Sequence, residues 1–357
     1  MTKEQLTKMI KEKSLRIGFN AVGITMPAPG QEVQHLDQWL ESGHEGEMTY
    51  MKRNQPLLKN PKHLMPEVKS IISVSINYLS SNDQPEEILN SPKKAYIARY
   101  ALGRDYHKIL RSKLKALANH INDLTNNNIY KAAVDSAPLL EKAYAERSGI
   151  GWIGKNTNLI NSKSGSFFMI GELLTNIELV YDIKATNHCG SCKKCIDICP
   201  TKAFNGPYSL DARKCISYLT IENKNEIPTE HREAIGNRIF GCDDCQIYCP
   251  WNKFAQHHNE DDFNPRHSLD RKDLIDLFQW TEKEWSDNTL GSAIRRAGYD
   301  GWRRNISVAL GNAPYEDKTI RILEQALGKN SKMVDEHIMW AINTLKSKSK
   351  RKLNVIN

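Results

Sequence analysis

Apolar positions in the first half of the chain switch between two periods. From Gln5 to Ile17 they recur at helical spacing among charged residues, Ala21 to Thr25 is a short strand-like run, and Ser70 to Leu79 alternates like a strand rich in β-branched residues. Leu110, Leu114, Leu117, Ile121 and Leu124 lie three or four residues apart, which puts one apolar stripe on a long helix that starts near Asp105. After Asn126-Asn127-Asn128 the pattern predicts a strand from Ile129 to Val134, the turn Asp135-Ser136-Ala137-Pro138, and a helix from Leu139 to Arg147 closed by Gly149. Ser166 to Asn176 reads as extended structure. Beyond Asn264-Pro265 the period becomes helical with short polar breaks: Leu274 to Phe278, Thr289 to Ala297, Trp302 to Leu310, Thr319 to Leu327 and Val334 to Leu345. Within that stretch Asn305 to Leu310 loosely echoes Ala341 to Leu345, a spacing compatible with helical repeats of the HEAT kind or with an ordinary helical appendage.

A chain of 357 residues exceeds what one hydrophobic core usually organises, so several domains are expected. No apolar run is long enough to span a bilayer, and the charged start Met1-Thr2-Lys3-Glu4-Gln5 does not resemble an export signal, which predicts a cytoplasmic protein with no membrane partner. The net charge of +8 permits an anionic partner such as nucleic acid. Lys346, Lys348, Lys350, Arg351 and Lys352 add a basic tail that reads equally well as a solvated end.

All 8 cysteines fall between Cys189 and Cys249, which points to metal rather than disulfides. Cys189, Cys192, Cys195 and Cys199, followed by Pro200, form the C-x2-C-x2-C-x3-C-P run of bacterial ferredoxins. Cys242, Cys245 and Cys249, followed by Pro250, repeat its ending, with Cys215 upstream as the missing fourth thiol. In the crossed arrangement of two-cluster ferredoxins the last cysteine of each run serves the other cluster. Cys189, Cys192, Cys195 and Cys249 then hold one [4Fe-4S] cluster, and Cys199, Cys215, Cys242 and Cys245 the other. Two four-cysteine zinc sites are the alternative. Clusters whose irons are fully ligated carry electrons, so substrate chemistry is expected on a further cofactor held by the region before residue 185.

Asp135 lies where a strand gives way to a helix. A carboxyl there can act as a general acid, or can simply cap a helix that begins at Pro138. Asp105, Tyr106 and His107 bring an acid, a phenol and an imidazole together at the start of the long helix. The loop Gly151-Trp152-Ile153-Gly154-Lys155-Asn156 has neither the P-loop nor the dinucleotide spacing.

Val134 to Lys142, the loop Gly151 to Asn156, the segment Ala98 to His107, the two cysteine groups and the ending Cys249-Pro250-Trp251-Asn252 together resemble the epoxyqueuosine reductase family along nearly the whole chain. The resemblance implies an α+β multidomain protein: a nitroreductase-like α/β cobalamin-binding domain (1–180), a ferredoxin-like domain with two [4Fe-4S] clusters (181–262), and a HEAT-like helical module that binds tRNA (263–357). It further implies cobalamin-dependent reduction of the epoxide of epoxyqueuosine to queuosine at the wobble position of tRNA. Electrons would come from a low-potential donor, and the protein would act as a monomer. By the same matching Asp135 is the proton donor, with its pKa raised by burial against the corrin. Asp135, Lys155, Asn158, Ser217, Cys242 and Asp243 line the cobalamin. Given a tRNA partner, Arg295, Arg296, Arg303 and Arg304 on the helical module read as phosphate contacts or, equally well, as solvated helix surface.

Overall fold

The computed structural model describes the backbone of residues 1–356 and the side chains of residues 1–350. Four strands form its central sheet: β1 (Ala21–Thr25), β2 (Ser70–Asn77), β3 (Tyr130–Ala133) and β4 (Phe168–Thr175), in the order β1-β2-β4-β3 with every neighbouring pair antiparallel. β2 is buried along its whole length, as expected of a strand covered on both faces.

Helix α1 (Lys3–Ile17) begins with a capping box, in which the Thr2 hydroxyl accepts the Gln5 N–H and the Gln5 side chain accepts the Thr2 N–H. Helix α2 (Tyr106–Thr125) starts at Asp105, whose carboxylate accepts the His107 N–H, and ends at Asn126 in the left-handed conformation. Its stripe of Leu110, Leu114, Leu117 and Ile121 is fully buried against Ile10 of α1 and Ile72, Val74 and Leu173 of the sheet. The long-helix prediction therefore holds, and the N-cap fixes where Tyr106 and His107 emerge.

The segment after Asp135 differs from expectation. Helix α3 runs only over Glu141–Arg147, so Pro138 is not its first residue and Asp135 caps nothing. Instead residues 135–140 form an open loop, with Asp135 at φ 51°. The predicted helix from Thr289 to Ala297 is likewise a helix Glu282–Asn288 followed by a 3-10 turn Ala293–Ala297, because Gly291 with φ 72° breaks the run.

The chain ends in helices α4 (Gly298–Asn312), α5 (Asp317–Ala326) and α6 (Lys332–Ile356), with α4 packed against α6. Their core is shared. Ala95, Ile97, Ala101 and Leu102 from the first half and Ile239 and Phe240 from the cysteine region lie in one apolar cluster with Trp302, Ile306, Ile338 and Leu345. The parallel pairing of Tyr96–Ile97 with Arg238–Phe240 ties these segments together. In the basic tail, Lys346 pairs with Glu324, and Lys348 donates to the last carbonyls of α4 and to Ala313. Arg351 and Lys352 lie outside the described side chains.

Candidate active site

Each C-x2-C step is followed by a single helical turn, Lys194–Asp197 after the first and Asp244–Ile247 after the second, and the two turns pack together. Where they pack, the last thiol of each run lines the other run's cavity. Cys189, Cys192, Cys195 and Cys249 line one cavity of about 90 Å³, and Cys199, Cys215, Cys242 and Cys245 line a separate one of about 400 Å³. All eight are free thiols. Among the described residues no group of three or more His, Cys, Asp or Glu is gathered closely enough to hold a single metal ion.

Donors already point at the sulfurs: Trp152 Nε1 at Cys189 Sγ (3.4 Å), the Ala203 N–H at Cys199 Sγ (3.3 Å) and Asn158 Nδ2 at Cys245 Sγ (3.6 Å). Burial, then Cys249, Cys189 and Cys192, push the Cys195 thiol up to about 11. Four thiolates so close together need a compensating cation, and the chemistry of this donor set fits iron–sulfur clusters.

The cavity of about 400 Å³ also carries Asn158, Ser217 and Asp243 on its wall. Asn156 Nδ2 donates to the Cys245 carbonyl, and the buried Asp243 carboxyl takes the Tyr96 hydroxyl and the Arg99 N–H, both at 2.8 Å. Lys155 departs from the expected grouping. Its ammonium donates to the carbonyls of Gly190 and Cys192 and it lines the smaller Cys189 cavity, because the loop after Trp152 turns toward the first cysteine run.

Tyr100, Lys142 and Ile221 line both this space and a third cavity of about 1110 Å³, so the two adjoin. On the wall of the third cavity stand Asp135, Tyr106, His107 and Glu141, with Arg295 and Arg296 also lining it. Tyr106 donates its hydroxyl to Asp135 Oδ2 at 2.8 Å. His107 lies between two carboxylates, with Nδ1 2.7 Å from Asp105 Oδ1 and Nε2 3.3 Å from Asp135 Oδ2.

The expected rise concerns burial against the corrin, whereas the chain's own groups act on Asp135 in the opposite direction. Burial pushes Asp135 up, but the hydrogen bonds from His107 and Tyr106 outweigh it and hold the carboxyl below its ordinary range. The proton sits on the imidazole. Burial opposes it, but hydrogen bonds to Asp105 and Asp135 carry His107 up to about 9. At neutral pH the chain's own groups therefore make an imidazolium–carboxylate pair rather than a neutral acid.

A histidine whose pKa is raised on folding stabilises the fold fully below its unfolded pKa near 6.5 and loses that contribution as pH rises through about 9. His107→Gln is therefore expected to lower stability most below pH 6.5, with the difference from wild type shrinking above pH 9, as read by denaturant melts across that range.

Two of the four expected phosphate contacts are structural. Arg304 is 1% exposed and donates to the carbonyls of Leu219, Asn223 and Asn225, and Arg303 is buried against the Phe278 carbonyl and Asn330. They sit on the inward face of α4, which is buried almost all round and leaves no outward face for arginine. Arg295 and Arg296 remain accessible, with Arg296 held by both carboxylate oxygens of Glu222.

Sequence reasoning missed Glu141 and Glu172 as site residues. The available signal was Glu172, a lone acid inside the otherwise apolar and small-residue run Phe167 to Leu174.

Comparison with known proteins agrees with this arrangement. Residues 59–136 match the family model described as "Epoxyqueuosine reductase QueG, DUF1730", and residues 188–252 match a "4Fe-4S double cluster binding domain". The chain is 49% identical over 339 residues to the epoxyqueuosine reductase of Pseudomonas aeruginosa, covering 95% of this chain and 94% of that one. It superimposes with a TM-score of 0.85, at 28% identity over 96% of this chain and 90% of the other, on an epoxyqueuosine reductase crystallised with an epoxyqueuosine-modified tRNA-Tyr stem loop. The Bacillus subtilis epoxyqueuosine reductase, solved with its catalytic loop swung out of the active site, gives 0.86 at the same identity and coverage. With close relatives aligned along almost its full length, this chain belongs to the epoxyqueuosine reductase family.

Proposed function

We propose that the protein reduces the epoxide of epoxyqueuosine at the wobble position of tRNA to queuosine, the last step in making that nucleoside, with two [4Fe-4S] clusters and a cobalamin. The observation that carries this reading is the adjoining of the two larger cavities, since the space bounded by one cysteine set runs by way of Tyr100 and Lys142 to the wall that holds Asp135. Electron delivery and proton delivery then meet in one place.

In this reading Cys189, Cys192, Cys195 and Cys249 hold the outer cluster, next to the exposed Lys193 and Lys194, where a low-potential donor would touch the protein. Cys199, Cys215, Cys242 and Cys245 hold the inner one. Asn158, Ser217 and Asp243 line the corrinoid space together with Cys242, while Lys155 braces the loop of the outer cluster. Cobalamin, when bound, supplies low-valent cobalt able to cleave a C–O bond. The chain's own residues do the rest. The proton held by His107, which Asp105 clasps, passes through the Asp135 carboxylate to the epoxide oxygen, and Tyr106 orients that carboxylate.

Residues 1–180 form the nitroreductase-like corrinoid domain, 181–262 the ferredoxin-like domain and 263–357 the HEAT-like module. The wobble base would enter the cavity of about 1110 Å³, with Arg295 and Arg296 at its wall to meet RNA phosphates. The protein acts as a monomer in the cytoplasm, where its substrate is; among the described residues no helix is long and apolar enough to cross a membrane.

The test is anaerobic reconstitution. Chain purified with iron, sulfide and cobalamin should carry about eight irons and one cobalt and convert epoxyqueuosine in tRNA to queuosine when given a strong reductant. Full iron without cobalt uptake would instead make it an electron carrier.

A further inference from the structure

Glu172 stands in the middle of β4, paired with Ser73 of β2 on one side and Ala133 of β3 on the other, and has no exposed surface. Neither of its carboxyl oxygens has a hydrogen-bond partner, and the Ser73 hydroxyl beside it is also unpartnered. The acidic group that faces it is Glu141, in the first turn of α3. Two carboxyls side by side, one of them fully buried, do not readily ionise together. One proton between them turns repulsion into a hydrogen bond and gives the orphaned oxygens a partner.

On its other side Glu141 reaches the catalytic loop, where its Oε1 accepts the backbone N–H of Asp135 at 2.6 Å. Asp135 holds φ 51°, in the left-handed region that aspartate tolerates better than most residues, and the Glu141 hydrogen bond to its N–H holds it there.

We propose that Glu141 and Glu172 are a proton-sharing carboxyl pair that positions Asp135: the shared proton fixes Glu141 over the sheet, and Glu141 seats the Asp135 backbone so that its carboxyl stays against Tyr106 and His107. Neither acid touches the reacting groups, so both are positioning residues. The proposal deepens the reading of Asp135 as proton donor and rests on it for its bearing on catalysis, but the seat is a property of the backbone and can be measured without turnover.

The groups that face the pair are Asp135, His107 and Lys142 around Glu141, and Ser73 beside Glu172. Burial, then Asp135, pushes Glu141 up to about 8, and burial with Glu141 lifts Glu172 well above the carboxylate range. As pH rises through about 8 Glu141 ionises while Glu172 keeps its proton, so the pair reaches its one-proton state and the Glu141 carboxylate accepts both that proton and the Asp135 N–H, which tightens the seat.

Hydrogen–deuterium exchange of the Asp135 amide in the full chain with its clusters, corrected for the intrinsic pH dependence of exchange, reads this directly. Wild type should protect that amide at pH 7 and protect it more strongly as pH passes 8. Glu141→Ala should exchange on the order of tenfold faster at every pH, with α2 amides and cluster absorbance unchanged. Glu141→Gln, whose amide oxygen accepts the same N–H, should keep the protection and make it independent of pH. The proposal is overturned if the wild-type amide exchanges as fast as in Glu141→Ala, or if Glu141→Gln follows the wild-type pH curve; that second comparison decides the matter even should the alanine variant fail to fold. In turnover, Glu141→Ala should lower kcat with KM unchanged. Loss of protection with normal kcat would remove Asp135 from the chemistry while leaving its seat in place.

Discussion

Asp135→Asn is expected to cut turnover by about 10²- to 10⁴-fold, the range a positioned general acid contributes, while iron content, cobalamin uptake and tRNA affinity stay at wild-type levels. The amide keeps the size of the side chain and can still accept the Tyr106 hydroxyl. What it cannot do is carry a proton to an oxygen that leaves carbon, or take one from His107 at the end of the 3.3 Å contact. Backbone strain is not the difference, because asparagine tolerates the left-handed conformation of this position as well as aspartate does. Single-turnover conversion in reconstituted enzyme measures the effect. Activity within a few-fold of wild type would move the proton source to the imidazolium or to solvent.

The second large effect comes from the crossed thiols. Cys249→Ala should lose the cluster of the smaller cavity and keep the other, so that iron falls from about eight to about four per chain and reduction by an external donor stops. Adding Cys195→Ala should cost no further iron, since both thiols line the same cavity. Adding Cys245→Ala should take the remainder, although Cys245 is only four positions before Cys249 in the chain. If each run held its own cluster, the two double variants would exchange outcomes. Iron analysis with low-temperature EPR of the reduced protein separates the cases.

What the sequence made legible was local. The strand Ala21–Thr25, the buried stripe of α2 and its start at Asp105 follow from period and capping, which depend on residues a few positions apart. The thiol grouping was readable for the same reason, because short spacings around a cluster leave few geometries. The loop at Asp135 was not. A strand, an acid and a proline look the same whether the acid caps a helix or swings back to meet Tyr106, and only the placement of α2 across the sheet decides it. Arg303 and Arg304 read in sequence as phosphate contacts or surface charge, but α4 is enclosed, and Arg304 donates to the carbonyls of Leu219, Asn223 and Asn225 while Arg303 donates to that of Phe278. Glu141 and Glu172 meet because α3 packs on β4, a tertiary contact that no short window of sequence encodes.

The apolar cluster that unites Ile97, Phe240 and Trp302 has a bearing on how the enzyme can be dissected. A chain cut after residue 262 would leave Ile97 and Phe240 facing water, next to the very segment that carries Tyr100 and the second thiol run. The C-terminal helices and the cysteine region are therefore expected to melt as one cooperative body, so a substitution in this core is felt at once by the helices and by the segments that carry the thiols.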